Sequence, residues 1–268
     1  VGRMAVLALA TLVLAPFGVA ATHRSAGLTP AVAAIGAEVW YLFFASLLLL
    51  SGRLSDIVGR RLKFIAGVAM FAVASVLVAA SEVSGQLIVA RALQGVGAAM
   101  ILPASLSVLN AVSRGKDRAV AVAVWGATIG GMAALGPLVG GWLTTYASWH
   151  WAFLINVPIA VIVVIGVLML VPETRDTVDS RGIDPVGTLL GTLGLGALVF
   201  GLIEGQNYGW ITPKKQFSAA GWTWPLDNLS APGVALILAV VLLVAFVWVE
   251  ARRKAAGKVV MVDLDQHV

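Results

Sequence analysis

The chain has 268 residues, 60% of them hydrophobic and 12% charged, with a formal net charge of +5 and a mean hydropathy of +0.96. A soluble domain carries about 25% charged residues, so a water-soluble globular fold is excluded and an integral membrane protein is expected. Cysteine is absent, which excludes disulfides, thiolate metal sites and iron–sulfur clusters.

Eight apolar segments are predicted in chain order: Met4–Thr22, Ala31–Ser51, Leu62–Ala80, Leu87–Val112, Ala119–Ala147, Trp151–Val171, Ile183–Ile203 and Ala231–Val249. Each approaches or exceeds the ~20 residues with which an α-helix crosses ~30 Å of hydrocarbon. Helical periodicity is weak because most faces meet lipid or protein, so length carries the assignment. Helices also satisfy their backbone hydrogen bonds internally, as lipid requires. The abundant glycine and alanine suit close helix packing rather than the alternating ~10-residue strands of a porin-like barrel. The first segment, preceded by Arg3 and ending in small residues at Ala20 and Ala21, shares features with a signal peptide. It is long for that purpose and leads into no soluble domain, so a retained helix is expected.

The polar stretch from Gly52 to Lys63 separates the second and third segments and holds Arg53, Arg60, Arg61 and Lys63 around one carboxylate, Asp56. Such positive charge marks the cytoplasmic side of a membrane. Alternating the loops from that point, only Arg24, Lys214 and Lys215 of the 18 Lys and Arg fall outside, and Arg91 lies within a helix. Every other cation falls inside, which predicts a cell-membrane protein with both termini in the cytoplasm. The basic balance is therefore topological, and nucleic acid is not an expected partner. Trp142, Trp149, Trp151, Trp210, Trp222 and Trp224 fall at outer ends or outer loops, where interfacial anchors are expected.

Four regions follow from this pattern: a six-segment bundle over 1–172, a cytoplasmic linker over 173–182, an inserted pair with a long outer loop over 183–250, and a cytoplasmic tail over 251–268. Within them, four sites are candidates for chemistry. The Gly52–Lys63 stretch reads as a tight inter-helix turn in which Asp56 caps a helix start or pairs with an arginine; the alternative is a solvated basic loop. Arg91 stands alone among apolar neighbours with Gln94 one turn on. An intramembrane arginine is a functional candidate unless it snorkels from a helix end. In the fifth segment Gly126 and Gly130, then Gly136 and Gly140, lie four apart and admit another helix closely, while Pro137 bends the rod. Glu38 and Glu204 are the acids at membrane depth and the candidates for carrying a proton, with Glu204 bordering the outer loop.

Enzymatic readings find little support. Gly95-Val-Gly97 lacks a third glycine and a flanking strand, and Gly115-Lys116 lacks the upstream glycine of a phosphate-binding loop. His23, His150 and His267 are isolated, so neither a metal cluster nor a nucleophilic triad assembles.

Five stretches in order carry a family resemblance. Gly52-Arg-Leu-Ser-Asp56-Ile-Val-Gly59-Arg60-Arg61 resembles the loop signature between helices two and three of the major facilitator superfamily. Arg91-Ala-Leu-Gln94-Gly95-Val-Gly97 resembles the helix-four motif of its proton-coupled members. Gly131, Gly136, Pro137, Gly140 and Gly141 match the spacing of the helix-five antiporter motif. Trp149-His-Trp151-Ala-Phe153-Leu-Ile-Asn156-Val-Pro158 and Gly201-Leu-Ile-Glu204-Gly205 with Gly209-Trp210 are similar to stretches of the fourteen-helix drug:proton antiporter branch.

The resemblance implies an all-α integral membrane protein: a six-helix half bundle plus two additional transmembrane helices, amino-terminal to a second bundle. It further implies export of small lipophilic or cationic drugs by alternating access, driven by the proton gradient with no other cofactor. On the same basis Gly52, Asp56, Gly59, Arg60 and Arg61 would form a cytoplasmic gate. Arg91 and Gln94 would take part in proton coupling, and the glycine–proline helix would provide a bending and sealing surface. The family usually places an aspartate in its first helix, whereas Leu14-Ala-Pro-Phe-Gly18 is uncharged here, which leaves Glu38 as the acid that would stand in. Val262-Asp-Leu-Asp265 resembles the lead-in to the second bundle, so this portion is not expected to transport alone. Two other readings fit the residues: a non-transporting membrane protein that associates with a partner bundle, and a related facilitator for a metabolite.

Overall fold

The computed structural model describes residues 30–113, 115–172, 184–219 and 222–256. The first apolar segment, the 173–182 linker and the stretch around Val262–Asp265 lie outside the described residues. The helices are α1 (Pro30–Val58), α2 (Arg60–Ala79), α3 (Ser84–Val112), α4 (Gly115–Tyr146), α5 (Trp149–Leu154), α6 (Asn156–Leu170), α7 (Pro185–Tyr208) and α8 (Ala231–Ala255). Two short strands, β1 (Ser218–Ala219) and β2 (Trp222–Thr223), pair antiparallel between α7 and α8. With α5 and α6 taken as one span, seven helices among the described residues are long and apolar enough to cross a membrane. The fold is the all-α membrane architecture that the composition predicts.

Two boundaries differ from the sequence expectation. The polar Gly52–Lys63 stretch is not a turn throughout, because α1 continues through Gly52 and Asp56 to Val58 and only Gly59 leaves the helix. Gly59 adopts φ +110°, a backbone state that L side chains rarely enter, and so reverses the chain in one residue. It is also the N-cap of α2 and, having no side chain, supplies no side-chain cap. The sixth segment, read as continuous, is broken at Ile155 into α5 and α6. Pro158 explains the break: it has no N–H to return to the Leu154 carbonyl, and it is tolerated in the first turn of a new helix.

The chain divides into two compact units, Val1–Phe44 with Leu54–Asp179 and Ala45–Arg53 with Ser180–Val268. The first is built on α2 and α3. Phe64, Val68 and Phe71 of α2 pack with Ala98, Ile101 and Val108 of α3 and with Val163 and Val167 of α6. Glycines set the closeness of this core: a Cβ on Gly97 would lie 2.8 Å from the Phe71 backbone nitrogen, and one on Gly95 would lie 2.6 Å from the Trp40 carbonyl oxygen. A smaller cluster of Val78, Leu87, Ala90, Trp149, Ala152 and Phe153 closes the other end of α2.

In the second unit α7 presents Gly194 and Gly201 to Leu243 and Leu236 of α8. Asp184 caps α7 by accepting from the Val186 N–H at 3.0 Å and pairs through its other oxygen with Arg253 Nε at 3.1 Å. In both units large apolar side chains such as Val73, Val89, Leu138, Met169, Val240 and Val244 are exposed, as lipid contact requires and water does not favour.

Candidate functional site

Arg91 enters α3 in its second turn, and four helices of the first unit meet around it. Gly36 of α1 makes room: a Cβ there would lie 3.4 Å from the Arg91 Cγ. The guanidinium Nε donates to the Gly36 carbonyl at 3.2 Å, and Nη1 donates to Gln94 Oε1 at 2.6 Å. Gln94 Nε2 donates to Ser75 Oγ of α2 at 2.8 Å, and Asn156 Nδ2 from the start of α6 donates to the same oxygen at 3.2 Å. Ser75 in turn donates to the Phe71 carbonyl at 2.8 Å. All four side chains are buried: Arg91 is 7% exposed, Gln94 1%, Ser75 0% and Asn156 2%.

The charge is also cradled by rings. Arg91 Cζ lies 5.7 Å from the centroids of both Trp40 and Phe153, within cation–π range. This arginine therefore turns into the protein and does not snorkel. Its described hydrogen-bond partners are neutral. A guanidinium stays protonated, so Arg91 supplies a fixed positive potential and five donors and cannot itself carry a proton.

The other predicted site residues are placed as follows. Glu38 is half-buried in α1, two positions from Gly36, and on a helix residues two apart face different ways. Gly36 and Trp40, four apart, share the face that meets Arg91. The structure thus brings Gln94 to Arg91 but not Glu38. Glu204 lies buried in α7 and accepts from Asn207 Nδ2 at 3.4 Å.

In the gate stretch Gly52 has open space around it, and the Asp56 side chain lies outside the described residues. Arg61 Nη2 donates to the Leu168 carbonyl at 2.9 Å, satisfying one of the carbonyls left over at the end of α6. Lys63, at the end of the expected inter-helix turn, is 1% exposed within α2, which goes against the alternative of a solvated loop at this residue. Arg60 begins α2 beside Gly59.

The glycine–proline helix α4 has two characters. Gly136 and Gly140 are buried, whereas Gly126, Gly130, Gly131 and Gly141 have no neighbouring atom within 4 Å of where a Cβ would stand. Pro137 removes the bond to the Ala133 carbonyl, and Leu138, Trp142 and Tyr146 are exposed beyond it. Among the six outer tryptophans, Trp142, Trp151 and Trp210 are exposed as anchors would be, while Trp149 is buried against Phe153.

Ser75, Asn156, Trp40 and Phe153 are the residues that sequence reasoning did not assign to the Arg91 site. Asn156 and Phe153 belonged to a quoted motif, but Ser75 is an ordinary serine in an apolar run and gave no signal.

A sequence profile described as Major Facilitator Superfamily matches residues 3–248. The puromycin resistance protein pur8 of Streptomyces alboniger is 40% identical over 212 residues, which are 79% of this chain and 38% of that protein. The methylenomycin A resistance protein of Bacillus subtilis (strain 168) is 41% identical over 176 residues, 65% of this chain and 37% of that protein. The match thus spans under two-fifths of the length of either relative. A crystal structure of the POT family transporter PepTSo superposes with a TM-score of 0.58 at 15% identity, covering 96% of this chain and 54% of that one, a likeness of fold.

Proposed function

We propose, from the premise that this chain belongs to the Major Facilitator Superfamily, that it is the amino-terminal portion of a proton-coupled drug exporter of the cell membrane. The observation that carries the reading is the buried Arg91, a fixed cation at membrane depth held by Gln94 and a backbone carbonyl rather than exposed at a helix end. A charge in that position is costly and marks ion or substrate pathways. The drug-resistance relatives support a lipophilic substrate such as puromycin. The loop charges support cytoplasmic termini.

Residues 1–172 are read as the first bundle, followed by the 173–182 linker and the 183–250 pair, with 251–268 leading toward a second bundle. The open glycine face of α4 supports that reading, because Gly126, Gly130 and Gly141 leave space into which another helix fits closely. The gate role of Gly52, Asp56, Gly59, Arg60 and Arg61 draws support from the one-residue reversal at Gly59, which fixes the arginines at the start of α2.

The test is Arg91→Ala in the full-length gene product. Inverted membrane vesicles energised by a proton gradient are expected to lose ethidium and puromycin transport while the protein still accumulates in the membrane. Unchanged gradient-driven transport would overturn the coupling role.

A further inference from the structure

We propose that Ser75 and Asn156 are positioning residues for the Arg91–Gln94 pair, tying the entry turn of α6 to the coupling arginine. The inference rests on the coupling role proposed for Arg91 and adds two residues to it.

The argument is one of donors and acceptors. A guanidinium only donates, so Gln94 must present its oxygen to Arg91 Nη1. Its NH2 then points the other way and needs an acceptor, which Ser75 Oγ supplies. The serine proton is committed to the Phe71 carbonyl. The second lone pair of Ser75 is therefore the place where Asn156 can dock, and it docks as a donor. Each amide orientation is dictated by the charge at the head of the series. Among the described residues Asn156 Oδ1 has no partner although it is buried, so the asparagine is held in this rotamer by its donor bond and not by its oxygen.

The series joins α3, α2 and α6, with 81 residues between Ser75 and Asn156. Asn156 is the first residue after the break at Ile155, so a change in the α5–α6 junction is transmitted to Gln94 through two hydrogen bonds. Phe153, on the other side of that break, touches Arg91 through its ring. Both halves of the broken segment thus report on the same guanidinium. A polar pair that serves only as helix glue would lack this directed link to a charge.

The experiment uses the full-length gene product in proteoliposomes, with puromycin as substrate and a lumenal pH dye as proton reporter. Ser75→Ala and Asn156→Leu are expected to lower the maximal rate of drug-driven proton exchange roughly tenfold, the effect of about one lost hydrogen bond on a transition state. The half-saturating drug concentration stays within about threefold, and the thermal midpoint in detergent falls no further than the loss of one hydrogen bond explains, so the rate loss exceeds the stability loss. Asn156→Asp keeps the size of the side chain but sets a carboxylate three hydrogen bonds from Arg91. It is expected to move the pH midpoint of exchange upward by about one unit, which a purely structural contact would not do. Ser75→Thr, which keeps the hydroxyl, is expected to retain at least about half the native rate, consistent with one preserved bond. Native exchange rates in both Ser75→Ala and Asn156→Leu, or losses that track protein stability with the Asn156→Asp midpoint unmoved, overturn the positioning role. If Arg91→Ala itself exchanges normally, the coupling reading falls and this inference falls with it; if Arg91→Ala is inactive and the other variants are native, only this inference falls.

Discussion

Gly97→Ala tests whether the spacing of α2 and α3 holds the site together. An added Cβ would stand 2.8 Å from the Phe71 nitrogen and 3.1 Å from the Gly67 carbonyl oxygen. Both neighbours are backbone in a helix and neither can rotate away. Ordinary contact begins near 3.4 Å, so the helices must part by about 0.6 Å at this level. Two turns of α2 separate Gly67 from Ser75, and the Gln94–Ser75 bond of 2.8 Å spans the same gap. The same parting stretches that bond to about 3.4 Å, beyond the usual range of good hydrogen bonds. Overpacking of this size costs about 1–3 kcal/mol, and the weakened network adds about 1 kcal/mol. In detergent the full-length protein is expected to melt several degrees lower, and drug-driven proton exchange to fall more than the loss of folded protein explains. A control lies in α3 itself: a Cβ on Gly85 meets no atom within 4 Å, so Gly85→Ala is expected to keep the native stability or raise it by up to about 1 kcal/mol. A Gly97→Ala protein with native melting and native exchange would refute the reasoning.

Three further outcomes follow from the geometry. Gly59→Ala forces an L residue into φ +110° at the α1–α2 reversal, a strain of about 1–3 kcal/mol; blotting of membranes should show less protein and vesicle assays less transport per molecule. Asp184→Ala removes the cap of α7 and its pairing with Arg253, a loss of about 1–2 kcal/mol; a lowered thermal midpoint that Arg253→Ala does not deepen would confirm that the two act as a pair. Gly126→Leu and Gly130→Leu, on the open face of α4, are expected to leave the membrane level intact and stop efflux; native drug resistance in cells carrying either would remove the close-packing role of that face.

The spans were legible because lipid demands length and apolarity, and both are written residue by residue. Boundaries were less so where polarity was equated with loss of helix. Gly52, Arg53 and Asp56 are polar or small yet remain helical, because the backbone hydrogen bonds of α1 do not depend on hydropathy; only the positive φ of Gly59 ends it. Arg91 was visible as a lone charge in an apolar run, and Gln94 as its neighbour one turn on. Ser75 and Asn156 were not visible as partners, because their pairing is set by how α2, α3 and α6 cross. Trp149 misled for a related reason: the break at Ile155 makes α5 a short helix that turns this ring into the cluster with Phe153. The glycines of α4 are alike in sequence, and only the fold separates the buried Gly136 and Gly140 from the open ones.

The coupling role proposed for Arg91 carries its own constraint. Its proton does not leave, so the group that titrates must be another residue acting under its field. Glu38 is the acid of α1 at membrane depth, and its position two residues from Gly36 sets it away from the face that meets Arg91, across a helix about 10 Å wide with its side chains. Acting from a different face of α1, Glu38 would feel Arg91 through its potential. Their variants should therefore differ in kind. Glu38→Gln is expected to keep puromycin binding by the full-length protein and to abolish the proton signal in proteoliposomes, since the carrier is gone while the fixed cation remains. Arg91→Ala is expected to weaken both, because it removes the cation that organises Gln94 and its partners along with the field. A Glu38→Gln protein that still exchanges protons for drug would transfer the carrier to another acid and leave Arg91 alone as the coupling group of this bundle.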